Sequence, residues 1–318
     1  MDAAPFLSLA PGAAPADNCW WMRTDDDVRL RAALWRTDDP KGTVVLLQGR
    51  TECLEKLAVP AAEWIARGWS VITLDWRGQG LSERLVEPRL KGHVGDFAEF
   101  RRDLDTLLAE PRLHDLPSTR ILMAHSMGGA IAVGALARAD IAAQFKAAIL
   151  SAPMLGIALS YPMRAAAWLT VKIGLALGMQ DRWPPFGPVD TPYVLTDGVT
   201  ADNNVLTSDS QMWDWMVATA HAHPDLSIAN PTLGWFAAAS HEIRRLATLS
   251  AATIPTLCLL GSRERVVDPK AVRLGAKRLG ADLAEIEGSE HELLIERPEL
   301  RAQVWQAVDS FLARHQLG

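Results

Sequence analysis

The chain is poor in cysteine. It has three in 318 residues, Cys19, Cys53 and Cys258, an odd number at spacings that match neither a metal site nor a disulfide framework. Such usage suits a reducing compartment, and Cys258, inside an apolar strand pattern, reads as core filler. Long basic runs are also missing. With a formal net charge of -6, the chain offers no electrostatic footprint for nucleic acid. No secretory signal is legible, because Met1 to Pro15 carries an acid at Asp2, has no basic n-region and contains too short an apolar stretch. An uninterrupted membrane span is absent as well. The most apolar segment, Leu155 to Met179, is broken by Pro162, Arg164 and Lys172, whereas a span needs about 20 consecutive apolar residues with few or no charges. That segment reads either as a helix packed on a larger domain or as an apolar lid that touches lipid or an acyl chain. No internal repeat is found.

About half of the residues are apolar (49%), enough for a sizeable core, and 318 residues suffice for one large α/β domain or two ordinary ones. Short β-type runs alternate with helical patterns, the rhythm of βαβ crossovers and a mostly parallel sheet. A hairpin is expected over Cys19 to Thr24 and Val28 to Trp35, then a buried strand at Thr43 to Leu47 and a helix near Val59 to Arg67, stopped by Gly68. Further strands are read at Ser70 to Asp75, Arg120 to His125, Lys146 to Ser151, Thr256 to Leu260 and Asp282 to Glu287. Helices are read near Asp96 to Leu108, Pro269 to Leu279 and Pro298 to Arg314. Between Pro153 and Pro255 the alternation stops, and five of the twelve tryptophans (Trp168, Trp183, Trp213, Trp215 and Trp235) fall in that interval. An insertion of this size after one strand lies over the strand ends where active sites of such sheets sit. The expected organisation is a loose tail over 1–18, a core from 19–153 and 255–318, and an inserted helical cap over 154–254.

The most informative stretch is Met123-Ala124-His125-Ser126-Met127-Gly128-Gly129, between the apolar run ending at Leu122 and the small, apolar segment from Ala130. A strand that ends in x-His-Ser-x-Gly and turns at once into a helix is the sequence form of a nucleophile elbow, with Ala124 in place of the usual first glycine. The turn lifts the Ser126 hydroxyl clear of the sheet, and the helix start offers backbone N–H groups to a developing oxyanion.

A serine nucleophile needs a base, and the base needs an orienting acid. His291, in the loop between the last expected strand and the last helix, stands where the chain order serine, acid, histidine puts the base. The other histidines have weaker claims: His93 and His114 lie in earlier loops, His221, His223 and His241 in the expected cap, and His315 in the tail of the last helix. His125 must point away from Ser126, which gives it a structural role. For the acid, Glu264 lies three residues past Gly261, close to a strand end, while Asp268 precedes Pro269 in the pattern of a helix N-cap. Glu264 is favoured, and Asp268 stays open as the alternative.

These motifs, in this order, resemble the lysophospholipase and monoacylglycerol lipase branch of the α/β-hydrolase superfamily, most closely its bacterial lysophospholipases. The likeness runs from about Trp21 to the C-terminus. Gln48-Gly49-Arg50-Thr51-Glu52 stands where relatives carry a His-Gly loop, and Asp75-Trp76-Arg77-Gly78-Gln79-Gly80-Leu81-Ser82 matches an Asp-x-x-Gly-x-Gly-x-Ser loop. The resemblance implies an α/β-hydrolase fold and an oxyanion hole built from the backbone N–H groups of Met127 and Arg50. It also implies a lysophospholipid or monoacylglycerol as the small lipid-like ester substrate, with no metal or organic cofactor required. The expected location is cytoplasmic and peripheral to the inner membrane, with membrane contact through the cap. Dehalogenase and epoxide hydrolase chemistry is disfavoured because each needs a carboxylate at position 126. A short-chain carboxylesterase, an aminopeptidase and a non-catalytic binding module remain as rivals.

Overall fold

In a computed structural model, which describes residues 2–185 and 190–318, the apolar runs become strands of one sheet. These are β1 (Asn18–Arg23), β2 (Arg29–Trp35), β3 (Gly42–Leu47), β4 (Trp69–Asp75), β5 (Arg120–His125), β6 (Ala147–Ser151), β7 (Thr256–Gly261) and β8 (Asp282–Ile286). Their spatial order is β1-β2-β4-β3-β5-β6-β7-β8. β2 runs antiparallel to both of its neighbours, and every other pairing is parallel. β3, β4, β5, β6 and β7 are buried along their whole length, as expected where helices cover both faces of a parallel sheet and the strands read as continuous apolar runs. The helices are α1 (Leu54–Ala66), α2 (Phe97–Leu108), the short α3 (Pro111–His114), α4 (Met127–Leu136), the short α5 (Ala139–Ala142), α6 (Tyr161–Ala176), α7 (Ser210–Ala222), α8 (Leu233–Leu246), α9 (Pro269–Leu279) and α10 (Pro298–Arg314). This sheet order, with its serine turn after a central strand, is the α/β-hydrolase fold.

Two features depart from the sequence reading. First, α1 starts at Leu54 rather than near Val59 and runs through Pro60. Its start is capped from outside the helix: the Leu54 N–H donates to Asp75 Oδ1 at 3.0 Å, a partner from the far end of β4 that no local pattern reveals. Second, the segment read as a loose tail is held along its length. Ala3 pairs with Trp20, Pro5 O accepts from Arg31 Nη1, the Leu7 N–H donates to Glu55 Oε1, and Ala14 O accepts from Trp35 Nε1. Of the expected tail and insertion, residue 1 and residues 186–189 lie outside the described residues.

The described part of 154–254 adds no strand to the sheet. It rests on loops at the carboxyl ends of the strands. The Ala229 N–H donates to Leu90 O after β4, the Asp268 N–H after β7 donates to Gly156 O, and the Glu292 N–H after β8 donates to Leu206 O. α8 buries Trp235, Ala238, Ala239 and Leu246 in the main apolar core. α6 differs sharply, since only Gly174 of its residues is buried. Among the described residues, no helix is long and apolar enough to cross a membrane.

Under the sheet edge, Arg31 is fully buried between Glu55 and Asp75, with Nη2–Oε2 and Nε–Oδ2 contacts of 2.7 Å each. A buried pair adds little compared with apolar residues, but removing one partner strands the other charge. Replacing Arg31 with Met leaves two uncompensated carboxylates at the start of α1. The expected cost is about 3–5 kcal/mol, read as a lowered urea midpoint at unchanged slope.

Candidate active site

Ser126 sits on the turn between β5 and α4 at φ 50° and ψ −116°, a left-handed conformation that a residue with a side chain adopts only under constraint. The constraint comes from neighbouring backbone. The Ser126 N–H donates to Ser151 O at 2.9 Å, and its carbonyl accepts from the N–H groups of Gly129, Ala130 and Met154. Gly128 is required by proximity, because a Cβ there would lie 2.5 Å from Gln48 O and 2.8 Å from Leu47 O. The end of β3 therefore passes directly over the first turn of α4.

The turn meets two other loops. His291 Nε2 lies 3.0 Å from Ser126 Oγ, and His291 Nδ1 lies 2.7 Å from Glu264 Oε2. The other Glu264 oxygen accepts the N–H groups of Val266 and Val267. Burial works to raise the Glu264 carboxyl pKa, but the His291 hydrogen bond and charge, with these two amides, outweigh it and hold the group below the ordinary range. Asp268, the alternative acid, sits elsewhere. Its Oδ1 accepts the N–H groups of Lys270 and Ala271 at the start of α9, and Oδ2 is 3.6 Å from Arg164. Ser126, Glu264 and His291 are all closed off from solvent, at 8%, 6% and 3% exposure. Among the described residues, neither the Met127 N–H nor the Arg50 N–H is engaged by another group.

The loop carrying Arg50 is buttressed by the Asp75–Ser82 loop. Gln79 Oε1 accepts the Thr51 N–H at 2.7 Å, Gln79 Nε2 donates to Gly49 O at 3.3 Å, and Trp76 Nε1 donates to Gln48 O at 2.9 Å. Gly80, at φ +51°, allows the loop to close over Asp75, whose carboxylate would lie 2.1 Å from a Cβ there.

A buried charged cluster that sequence reasoning missed lies beneath these loops. Lys56 Nζ is 3.1 Å from Glu52 Oε1 and 2.6 Å from Glu292 Oε1. His125 Nε2 is 3.2 Å from Glu292 Oε2, and Nδ1 is 3.3 Å from Ser151 Oγ. The His125 ring centroid is 4.7 Å from that of His291. Glu52 Oε2 accepts the Gly49 N–H. Glu52, His125 and Glu292 bring ligand-type atoms within 4.8 Å of one another, and the Lys56 ammonium already supplies a cation between the two carboxylates. The available signal was adjacency, since His125 precedes Ser126 and Glu292 follows His291.

An eight-stranded sheet of this order, with a strained serine on the turn after a central strand, defines an α/β-fold serine hydrolase. Residues 38–298 match the family model described as serine aminopeptidase, S33, and the chain belongs to that family. It is similar to the probable lysophospholipase L2 of Haemophilus influenzae, at 30% identity over 275 residues, covering 85% of this chain and 83% of that protein. Against the lysophospholipase L2 of Escherichia coli K12 the identity is 28% over 326 residues, covering 95% and 91%. In three dimensions it superimposes on a soluble variant of the monoglyceride lipase of Saccharomyces cerevisiae, crystallised with a substrate analogue, at a TM-score of 0.71 and 16% identity, covering 98% of this chain and 100% of that one. This last likeness is one of fold.

Burial works to lower the His125 pKa, but Glu292 and Glu52 outweigh it and raise the pKa above 6.5. The folded state thus holds this proton more tightly than the unfolded chain does. The resulting stability is complete below the unfolded value and is lost as pH rises through the folded one. The gap in melting temperature between wild-type protein and His125→Gln is therefore expected to shrink as pH is raised from about 6.5. A series of thermal melts checks it, and a gap that widens with pH contradicts the assignment.

Proposed function

We propose that this hydrolase cleaves acyl esters of lipids, lysophospholipid or monoacylglycerol, through an acyl-enzyme on Ser126. The observation that carries the reading is the unbroken contact chain from Ser126 Oγ through His291 to Glu264, at 3.0 Å and 2.7 Å. In it, His291 Nε2 takes the hydroxyl proton as Ser126 Oγ attacks the carbonyl carbon. Glu264 fixes the ring with Nδ1 protonated and stabilises the imidazolium. The free N–H groups of Met127 and Arg50 stabilise the oxyanion. The proton then passes from His291 to the departing glyceryl oxygen as the carbon–oxygen bond breaks. Water, deprotonated by the same imidazole, releases the fatty acid and restores the serine.

The two relatives named as lysophospholipases support the choice of ester. So does the described part of 154–254, read as a cap over the strand ends. α6 turns Tyr161, Met163, Trp168, Leu169 and Ile173 to solvent, each more than half exposed. Arg164 and Lys172 share that helix, and the stretch 155–180 contains no acid. Apolar side chains flanked by cations suit the surface of an anionic bilayer, where such substrates reside.

Removing the Ser126 hydroxyl is expected to lower kcat on lysophosphatidylcholine by about 10³-fold or more and to abolish labelling by a fluorophosphonate. Wild-type protein that splits aminoacyl amides but leaves lysophosphatidylcholine, monoacylglycerol and aryl esters intact would refute the ester reading. Trp168→Glu is expected to weaken sedimentation with phosphatidylglycerol vesicles while leaving the hydrolysis of a water-soluble aryl ester intact.

A further inference from the structure

Among the described residues, the oxyanion loop carries a cation with no anionic partner. Arg31, Lys56 and Arg77 are buried and each meets carboxylates at 3.1 Å or less. Arg50 meets none. Its Nη2 donates to Ala229 O at 2.5 Å, its Cζ lies 5.3 Å from the Trp235 ring, and its buried Nε has no hydrogen-bond partner. Burial, uncompensated by any charge, pushes its pKa down. The guanidinium lies against Gly92, where a Cβ would come within 2.4 Å of Nη2. The adjoining residue, Lys91, is only 5% exposed, and its Nζ faces the Trp183 ring at 5.5 Å. Among the described residues, no carboxylate oxygen lies within 4.0 Å of Lys91 or Arg50. Both cations meet the insertion: Arg50 holds Ala229 O, and Trp183, whose ring Lys91 faces, donates from Nε1 to Asn230 O at 2.9 Å. Two cations without counter-charge among the described residues, Lys91 buried and Arg50 partly so, form a site for an anion.

We propose that Arg50 and Lys91 form a phosphate-binding subsite beside Ser126, and that this subsite selects lysophospholipids over uncharged monoacylglycerols. The proposal rests on the lipid-ester reading above and narrows it. Covalent geometry supports the match. Gly49 packs against the serine, where a Cβ would lie 3.1 Å from Ser126 Cβ, so the next amide, that of Arg50, borders the reacting carbonyl. From that amide nitrogen to the guanidinium carbon there are as many bonds as from the acyl carbonyl carbon of a 1-acyl lysophospholipid to its phosphorus. One residue thus spans oxyanion and phosphate, with its amide at one and its guanidinium at the other. A monoacylglycerol would leave both cations without an anion, and a site built for a charged group rejects an analogue that lacks it.

The test compares kcat/KM for 1-decanoyl lysophosphatidylglycerol and 1-decanoylglycerol, which share the scissile ester and differ in the phosphate. In wild-type protein the ratio favours the lysophospholipid, and in Arg50→Gln and Lys91→Gln it falls about tenfold, the loss of one charge-assisted hydrogen bond. Parallel loss on both substrates overturns the subsite and assigns the two cations to fastening the insertion. Wild-type protein that cleaves neither ester overturns the lipid-ester reading and the subsite with it. A measurement on unaltered protein guards against misfolded variants: glycerophosphoglycerol is expected to inhibit p-nitrophenyl butyrate hydrolysis competitively at concentrations where glycerol does not. Equal inhibition by inorganic phosphate would support an anion site that reads the phosphate alone. No inhibition by either phosphate compound overturns the proposal.

Discussion

Lys56 Nζ lies between the carboxylates of Glu52 and Glu292, and because all three are buried, none can be moved or discharged without stranding the others. The arrangement of the site follows from that constraint. Glu52 belongs to the loop that holds Gly49 and Arg50. Glu292 adjoins His291, and His125, which faces Glu292, adjoins Ser126. Each loop that reaches the serine thus brings one charged side chain to a common ammonium or to its carboxylate partner. With His125 protonated, two carboxylates balance two cations. The backbone positions of Ser126, His291 and the Gly49–Arg50 segment are thereby tied together by charge pairing beneath them.

The strain at Ser126 is sustained by a second set of contacts, made by backbone. Ser151 O and the N–H groups of Gly129, Ala130 and Met154 lock the turn, and Gly128 lets the end of β3 press on α4. The motif Asp75 to Ser82 enters through this same contact. Its Gln79 and Trp76 hold the Gln48–Thr51 segment, and Gly80 folds the loop over Asp75. The sequence pattern that resembles a family signature is a brace for the Gln48–Thr51 segment.

The elements most legible in the sequence are those whose cause is local. Buried parallel strands read as apolar runs, the elbow reads as strand-serine-glycine-helix, and His291 follows from chain order. Glu264 and Asp268 cannot be told apart by pattern, since both occupy one loop and only their partners differ: an imidazole for the first, the amides of α9 for the second. The start of α1 is not legible locally because its cap, Asp75, lies 21 residues along the chain. The anchoring of the N-terminal segment is hidden for a similar reason, its composition giving no hint of Arg31, Trp35 and Glu55 as anchors. The Lys56 cluster joins positions up to 236 residues apart, beyond the reach of any periodicity.

α6 buries only Gly174, so folding places almost no demand on the rest of that helix. Its aromatic and aliphatic positions are exempt from the jigsaw fit that restricts substitution in the core. The bulky apolar side chains there contribute little to the packing of the globule itself. Exchanges among them come at scarcely any thermodynamic penalty to the rest of the fold. That helix is thus open to change at positions where the sheet and the loops around Ser126 are not.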